Sequence, residues 1–493
     1  MNDIRKKIQK KILLLSKDII EKNISDFHNE ELEEHFCIKN DFLDFDFSKQ
    51  KVNKESFDYL LQIPELINLK KILDSLFAGE FENTSENTKV THTIYRSDFN
   101  KKFPEIFSQR KQFKKFLESV KGKSTIRNLI CIGIGGSRLG PEFLYEFQGK
   151  DEPFKVYFCS SIDLLELKDA LRKCEQSQTL ILTSSKSFQT TEIIKNLNLA
   201  KEWFNERPDI DFKNHLYAVS SNTQAMSNLG IKQDNQLHIL NSLSGRFSLW
   251  SSISSPAFVN SGFTSYSELL EGAHMADDHT QNTPWESNIP VLMALLSVWN
   301  TNALSINNHA VFTYNYRLRS LTRYITQLSM ESNGKSVNTK SEESPFLTSP
   351  LVWGGYGVEN QHSTFQWLLQ GKTPSSCDFI GLDASVDECS DSENMLLSQV
   401  IALTFGRGNV DEPFKAIEGN NPCSVFRLKK ADLKSLGYLL ALYEHKIFIE
   451  AYILGLDPFD QWGVQLGKNL LYELKKNKTA LSKYFSSKFL AKS

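Results

Sequence analysis

From about residue 125 onward, short apolar runs alternate with segments that have helical periodicity. Four of these runs are predicted strands, at 128–134, 155–160, 179–183 and 215–220. Strands that are separated by helices predict right-handed βαβ crossovers, which give a parallel sheet covered on both faces. This stretch is therefore predicted to form one α/β unit.

The same alternation occurs a second time further along the chain. Predicted strands lie at 310–314, 350–353, 378–382 and 424–428, and predicted helices lie near 290–304, 317–330, 362–370 and 391–406. The flanks differ, because residues 1–110 and about 431–477 have mostly helical periodicity. The pattern predicts an α/β fold of two packed α/β units with helical N- and C-terminal arms.

The first predicted strand ends in a glycine-rich turn that includes Gly133, Gly135, Gly136 and Ser137. Glycines let backbone N–H groups approach a ligand, and a following helix N-terminus favours an anion such as phosphate. A dinucleotide-binding fingerprint would need glycine at position 138, where this chain has Arg138, so a nicotinamide-dependent dehydrogenase is disfavoured. A tight strand-to-helix connection without a ligand is the structural alternative.

A second polar cluster follows the third predicted strand, in the same position relative to its strand. Residues 184–191 supply five hydroxyl side chains around Lys186, just before a predicted helix. A helix N-cap needs only one serine or threonine, so five hydroxyls favour phosphate binding over capping. Ligands of such folds lie beyond the carboxyl ends of the strands, which is where both clusters fall.

The amino-acid composition argues against several kinds of binding partner and metal site. The 493 residues are 40% hydrophobic and 24% charged with a net charge of −2, so no overall field attracts nucleic acid or a membrane. No apolar run reaches transmembrane length. The seven cysteines form no CxxC pair and the ten histidines form no HxxxH or HExxH pair, so we expect neither a disulfide framework nor a zinc site. Reduced thiols, and a start without a signal-peptide core, predict a cytoplasmic protein.

Seven segments, taken in order, resemble the phosphoglucose isomerase family. They lie at 131–141, 184–192, 245–251, 330–335 (MESNGK), 357–363, 419–422 and 459–468 (FDQWGVQLGK). A fainter match at 83–86, with His92 and Arg96, extends the resemblance to roughly 79–475. The resemblance implies two sugar-isomerase (SIS) domains, each an α/β/α sandwich, and a homodimer with active sites at the subunit interface.

The resemblance also implies the division of the chain and the residues of the site. We expect a mainly helical arm at 1–110 that packs on the second domain, SIS domains at 111–282 and 283–430, and C-terminal helices at 431–493 that complete the site. The implied substrate-binding residues are Gly136, Ser137, Ser185, Lys186, Ser187, Thr190 and Gln461. The implied catalytic residues are Arg246, Glu331, His362 and Lys468, with His362 reaching the neighbouring subunit's substrate.

These residue types suit the interconversion of glucose 6-phosphate and fructose 6-phosphate, which needs no metal or redox cofactor. Ring opening moves two protons, which suits His362 beside Lys468 because a histidine titrates near neutral pH. A carboxylate at Glu331 takes the C2 proton and returns it to C1. The cis-enediolate between these transfers is negative, and the guanidinium of Arg246 stabilises it more than the neutral sugar.

Several positions depart from the family's pattern. Ser244 stands where a glycine is usual, Glu359-Asn360 stand where Asn-Gly is usual, and Gln465 replaces a glutamate. The segment 159–164 reads Cys-Ser-Ser-Ile-Asp-Leu, where the family tends to have Ser-Asn-x-Asp-Gly, so Leu164 takes the place of the glycine. We expect these changes to affect loop geometry more than the class of reaction.

A different class of function remains open beside the isomerase. A non-catalytic regulator built on SIS domains keeps the phosphate loops and loses the acid–base groups. Here those groups are present, and no basic recognition segment for nucleic acid occurs. Each catalytic residue also has a purely structural alternative, such as an ion-pair partner for Arg246 or a helix cap for His362.

Overall fold

The computed structural model describes residues 1–27, 36–97, 103–149, 153–188, 190–383, 390–407 and 412–476. The chain divides into two compact units, Met1–Pro458 and Phe459–Ser493. The boundaries expected at 110, 282 and 430 all lie inside the first unit and stay predictions. No helix among the described residues has the length and apolarity needed to cross a membrane.

The strands, in chain order, are β1 Cys37–Lys39, β2 Leu43–Lys49, β3 Glu82–Asn83, β4 Thr88–Lys89, β5 Asn128–Ile132, β6 Lys155–Cys159, β7 Thr179–Ser184, β8 Leu216–Ser220, β9 Gln236–His238, β10 Asn308–Thr313, β11 Leu351–Tyr356, β12 Ser376–Leu382 and β13 Cys423–Leu428.

The α-helices, in chain order, are α1 Asn2–Ile20, α2 Lys54–Leu60, α3 Ile63–Leu66, α4 Leu69–Phe77, α5 Pro104–Gly122, α6 Leu139–Gln148, α7 Leu165–Leu171, α8 Thr191–Asn205, α9 Thr223–Asn228, α10 Ser255–Phe258, α11 Phe263–Asn282, α12 Ile289–Asn302, α13 Leu321–Asn333, α14 Gly357–Gln361, α15 Phe365–Gln370, α16 Ser390–Phe405, α17 Leu433–Leu454 and α18 Gln465–Lys476.

The first sheet contains five strands in the order β6-β5-β7-β8-β9, and all its neighbours are parallel. Every residue of β5 is buried, as expected for a central strand covered on both faces. In the register of β5 with β7, Ile132 lies opposite Thr183. The carboxyl ends of these two strands are therefore adjacent, so the turns that follow them leave the sheet side by side.

The second sheet contains six strands in the order β1-β2-β13-β12-β10-β11. The strands β13, β12, β10 and β11 are parallel neighbours, whereas β2 pairs antiparallel with β13. The predicted α/β class with two parallel-rich sheets is confirmed, and all eight predicted strands are present with ends shifted by a few residues.

The N-terminal region holds strands that the sequence analysis did not predict. Strand β2 alternates apolar and acidic side chains from Leu43 to Phe47, and the buried carboxylate of Asp44 bonds to Arg427 and Lys429 at 2.7 Å each. Alternation over only five residues is a weak signal inside a region of helical periodicity. Pairing with β13 adds this segment to the second sheet, and β9 was also missed.

The long helices α11 and α17 pack with their backbones in contact. A Cβ atom built on Gly272 would lie 1.8 Å from the carbonyl oxygen of Lys434, and one built on Gly437 would lie 2.1 Å from that of Leu269. Only glycine permits this separation. The close crossing buries nearly all of α17, including the ionisable side chains of Glu444, His445 and Lys446.

His279 is held neutral at the end of α11. Its Nε2 accepts a hydrogen bond from the backbone N–H of Ile289 at 3.1 Å, and its Nδ1 lies 3.2 Å from the hydroxyl of Thr283. Burial, together with the nearby His445, lowers the pKa of His279 to about 4. A protonated ring would lose the bond from Ile289, because both nitrogens of an imidazolium are donors.

We expect His279 to make the protein sensitive to acid. In the unfolded chain His279 has the ordinary histidine pKa of 6.5, whereas in the folded chain its pKa is about 4. The stability that the neutral ring contributes above pH 6.5 is therefore lost as the pH falls towards 4. The loss is about 3 kcal/mol at most. Urea unfolding at pH 7 and pH 4.5 measures it, and His279→Gln should reduce the difference between the two. The exposed His274 on the same helix is the control, and a His274→Gln variant that flattens the profile equally would contradict this assignment.

Candidate active site

The glycine-rich turn after β5 packs directly against the turn that carries Arg246. Residues Gly135–Ser137 form a single 3₁₀ turn, with Gly135 at a φ of 59°. A Cβ atom on Gly136 would lie 2.1 Å from the carbonyl oxygen of Gly245. Gly136 is therefore required by close packing between two backbone turns, and this packing holds Ser137 next to the Arg246 turn.

The polar cluster after β7 leaves the adjacent strand end. The hydroxyl of Ser185 accepts a bond from the backbone N–H of Phe188 at 3.0 Å, and Phe188 has a left-handed φ of 54°. The ammonium of Lys186 lies 3.4 Å from the carboxylate of Glu86 at the surface. Thr190 occupies the N-cap position of α8, and its side chain makes no capping bond among the described residues.

Arg246 lies in the 3₁₀ turn Gly245–Trp250, and its side chain is 1% exposed. Its Nε donates to the hydroxyl of Ser332 at 2.6 Å, and its Nη2 donates to the carbonyl oxygen of Pro458. Its Nη1 lies 3.7 Å from Oε2 of Glu331. Two of the four predicted catalytic residues are thus brought together, although they are 85 positions apart in the sequence.

Glu331 lies near the end of α13, and its side chain is 26% exposed. Gln327, one helical turn earlier, donates from Nε2 to Oε2 of Glu331 at 3.0 Å. A Cβ atom on Gly135 would lie 3.0 Å from the same Nε2. Gln327 therefore lies between the glycine turn and the carboxylate of Glu331. The sequence analysis did not single out Gln327, although it lies four residues before Glu331 and therefore on the same face of the helix.

His362 follows α14 directly, and its side chain is exposed. The entry to α14 is fixed by packing, because a Cβ atom on Gly357 would lie 2.4 Å from the ring of Tyr314. In the part of the chain that the structure describes, no hydrogen bond or ion pair joins His362 to Arg246 or Glu331. Its catalytic role stays a prediction.

The second unit carries two further predicted residues. Gln461 precedes the 3₁₀ turn Trp462–Val464, and Lys468 lies in the first turn of α18 with an exposed side chain. Their participation in the site also stays a prediction. Among the described residues, no group of three or more His, Cys, Asp or Glu side chains is arranged to hold a metal ion.

A buried polar network lies behind the Arg246 turn. Arg96 donates two bonds to Asp277, at 3.1 and 2.6 Å, and one to Glu444 at 2.5 Å. Nε2 of His445 lies 2.6 Å from Asp277, so this histidine belongs to the same network. Burial raises the pKa of Glu444 to about 7 against the opposing charge of Arg96.

The family model for phosphoglucose isomerase matches residues 46–488. The chain belongs to the phosphoglucose isomerase family. It is 35% identical over 514 residues to a glucose-6-phosphate isomerase of Acinetobacter baumannii (strain AB0057), covering 96% of this chain and 91% of that one. It is also 35% identical over 506 residues to one of Buchnera aphidicola subsp. Cinara cedri, covering 93% and 92%.

A solved structure of the same family has the same fold. The crystal structure of a glucose-6-phosphate isomerase from Chlamydia trachomatis D/UW-3/Cx matches with a TM-score of 0.86 at 27% identity, covering 97% of this chain and 95% of that one. The phosphoglucose isomerase family thus extends over nearly the whole sequence, including residues 46–78, which the motifs did not reach.

The departures from the phosphoglucose isomerase pattern have different structural consequences. Asn360 is well satisfied, because its amide donates to the carbonyl of Tyr356 at 2.9 Å and accepts from the hydroxyl of Thr364 at 3.1 Å. Leu164, by contrast, has a left-handed φ of 67° at the N-cap of α7. From the family's pattern we expect a glycine at this position, and a side chain in this conformation costs about 1 kcal/mol.

We expect glycine at position 164 to relieve this strain. Leu164→Gly should be more stable than Leu164→Ala by about 1 kcal/mol, because both lose the leucine side chain and only alanine keeps a Cβ atom in the left-handed region. Thermal or urea unfolding measures the difference. At the exposed neighbour Leu165, the first residue of α7, the order should reverse, with alanine the more stable by up to about 1 kcal/mol. Alanine above glycine at both positions would contradict the strain.

Proposed function

We propose that this protein interconverts glucose 6-phosphate and fructose 6-phosphate, and that Glu331 and Arg246 carry out the central step. The supporting observation is the 3.7 Å approach of the Arg246 guanidinium to the Glu331 carboxylate, beside the glycine turn. A base and a permanent cation at this separation can both reach a two-carbon unit of an open-chain sugar. Membership of the phosphoglucose isomerase family supports the same reaction.

The phosphate group binds where the turns after β5 and β7 leave the sheet. Ser137, Ser185, Ser187 and Thr190 supply hydroxyl groups, and the N-termini of α6 and α8 supply backbone amides. Lys186 adds the positive charge, and its surface pair with Glu86 is weak enough for a phosphate dianion to replace the carboxylate. The reacting carbons then extend from this anchor towards Glu331.

Ring opening precedes the isomerisation. One proton leaves the C1 hydroxyl and one reaches the ring oxygen as the C1–O5 bond breaks. We assign this exchange to the partner subunit's His362 with Lys468. The exposed position of His362 on a turn is compatible with delivery to another chain, and Gln461 adds a hydrogen bond to the sugar.

Proton transfer between C2 and C1 follows on the open chain. The Glu331 carboxylate removes the C2 proton, the electrons of that bond form the C1–C2 double bond, and the aldehyde oxygen becomes an enediolate oxygen. The Arg246 guanidinium stabilises this negative charge, which is absent from the sugar in its ground state. Glu331 then returns the proton to C1 while the proton of the C2 hydroxyl passes to the C1 oxygen, so C2 becomes the ketone carbon and no net oxidation occurs.

Gln327 and Ser332 prepare the pair for this step. The bond from Gln327 fixes the orientation of the Glu331 carboxylate, and the bond to Ser332 fixes the Arg246 guanidinium. Groups that are oriented before the substrate arrives need no reorganisation in the transition state. A non-catalytic regulator would not need this arrangement, so the paired acid and cation favour the enzyme.

We expect Glu331→Gln to abolish the reaction while leaving the fold intact. The amide keeps the size of the side chain but cannot accept the C2 proton, so kcat should fall by at least about 10³-fold. The loss should be accompanied by loss of hydrogen exchange between C2 and solvent deuterium, which NMR of the recovered sugar measures. Glu118→Gln on the exposed face of α5 is the control. Full activity in the Glu331→Gln variant would exclude this residue as the base.

We expect the sites to be shared between two subunits. His362→Ala and Glu331→Gln should each be inactive on the closed-ring substrate. Refolding the two variants together should restore about a quarter of wild-type activity, because half of a random mixture is heterodimer with one intact site. Activity measured before and after co-refolding, with size-exclusion chromatography of both samples, checks this. No recovery in a sample that contains dimers would place His362 in its own chain's site.

A further inference from the structure

We propose that Tyr324 and Glu444 are positioning residues that hold the backbone of Arg246 at its working distance from Glu331. The inference rests on the function proposed above and deepens it, because neither residue takes part in the proton transfers. Their contacts are with the Arg246 turn, with the helix that carries Glu331 and with the buried network behind both.

Tyr324 connects the helix of the base to the turn of the cation. Its hydroxyl lies 3.3 Å from the carbonyl oxygen of Arg246 and 3.2 Å from Oε1 of Glu444, so one phenol hydrogen serves two acceptors. Tyr324 and Glu331 both belong to α13 and lie seven residues apart, which is two helical turns on one face. The bond to Arg246 therefore ties this turn to the element that carries Glu331.

Glu444 fixes the other end of the same turn. Both of its carboxylate oxygens accept from Nε1 of Trp250, at 2.9 and 2.8 Å, and Trp250 is the last residue of the 3₁₀ turn that begins one residue before Arg246. The Glu444 side chain is fully buried on α17. One carboxylate thus holds the Trp250 end of the turn directly and the Arg246 carbonyl through Tyr324.

The orientation of Glu444 is itself enforced by a charged partner. Arg96 bonds to Oε2 of Glu444 at 2.5 Å and stacks over the ring of Trp250, with its guanidinium carbon 4.7 Å from the ring centroid. The remaining nitrogens of Arg96 bond to Asp277. Since every member is buried and has several partners, the network resists displacement in any direction.

The position of Arg246 matters because charge stabilisation depends on distance. A shift of about 1 Å in a group that faces a developing charge costs about 10²-fold in rate. The side-chain bonds of Arg246 to Ser332 and Pro458 orient the guanidinium, but its backbone also needs an anchor. The Tyr324 hydroxyl supplies that anchor from the helix that carries the base.

Tyr324→Phe tests the proposal in the full-length enzyme, because it deletes only the hydroxyl. We expect kcat for fructose 6-phosphate to fall by about 10- to 100-fold while KM changes less than about threefold, since the phosphate loops are untouched. Competitive inhibition by inorganic phosphate should be unchanged for the same reason. A drop in melting temperature with kcat intact would mean that the hydroxyl serves stability alone and would overturn the proposal.

Tyr266→Phe is the matched control. Its buried hydroxyl donates to the backbone carbonyl of Trp250 at 2.6 Å, so this variant loses a bond to the same turn without touching Arg246. We expect kcat to stay within about twofold of wild type. An equal loss of kcat in both tyrosine variants would show general loosening of the turn and would also overturn the proposal.

A further variant covers a failure of Tyr324→Phe to fold. Trp250→Phe keeps an aromatic ring and removes the donor that orients Glu444, the second acceptor of the Tyr324 hydroxyl, so it should lower kcat in the same direction with KM preserved. Unchanged kcat there would overturn the proposal. Wild-type enzyme assayed in parallel separates the two hypotheses: absence of wild-type isomerisation contradicts the proposed function, whereas normal wild-type activity with unaffected variants contradicts only the positioning role.

Discussion

The organisation of the site depends on a buried guanidinium that faces a carboxylate without a direct hydrogen bond. Burying the charge of Arg246 is costly unless polar partners replace water, and the hydroxyl of Ser332 and the carbonyl of Pro458 provide them. Nη1 of the same guanidinium lies 3.7 Å from Oε2 of Glu331. In the proposed mechanism this separation leaves the charge of the guanidinium available to the enediolate, whereas a tighter ion pair would neutralise it.

Close approach between backbones is the second constraint, and glycine permits it in two places. Gly136 lets the turn after β5 lie against the turn of Arg246, so the proposed phosphate site and the cation belong to one rigid assembly. Gly272 and Gly437 let α11 and α17 meet without side chains between them. That crossing brings Asp277 of α11 next to His445 of α17, and Arg96 bonds to Asp277 and to Glu444 in the space between.

Individual strands show why part of the fold could be predicted from the sequence and part could not. The parallel strands β5, β7, β10 and β12 are buried on both faces. Their sequences are therefore largely continuous apolar runs, which can be recognised without an alignment. Strand β2 was missed because its short alternation lies within helical surroundings and its partner β13 is nearly 400 residues away. The left-handed conformation of Leu164 was not foreseen, since leucine gives no local signal for it.

From the amino-acid sequence come the class of fold, the position of the two turns proposed to bind phosphate and, through its family motifs, the choice of Glu331 and Arg246 as catalytic candidates. These features are written locally, in the period of apolar residues and in short strings of glycine, hydroxyl and charged side chains. The three-dimensional contacts add that Gln327 bonds to Glu331, that Tyr324 and Glu444 bond to the turn of Arg246, and that Gly136 is needed for packing. Those roles depend on contacts between segments far apart in the chain, and no local pattern specifies which distant backbone a side chain will meet.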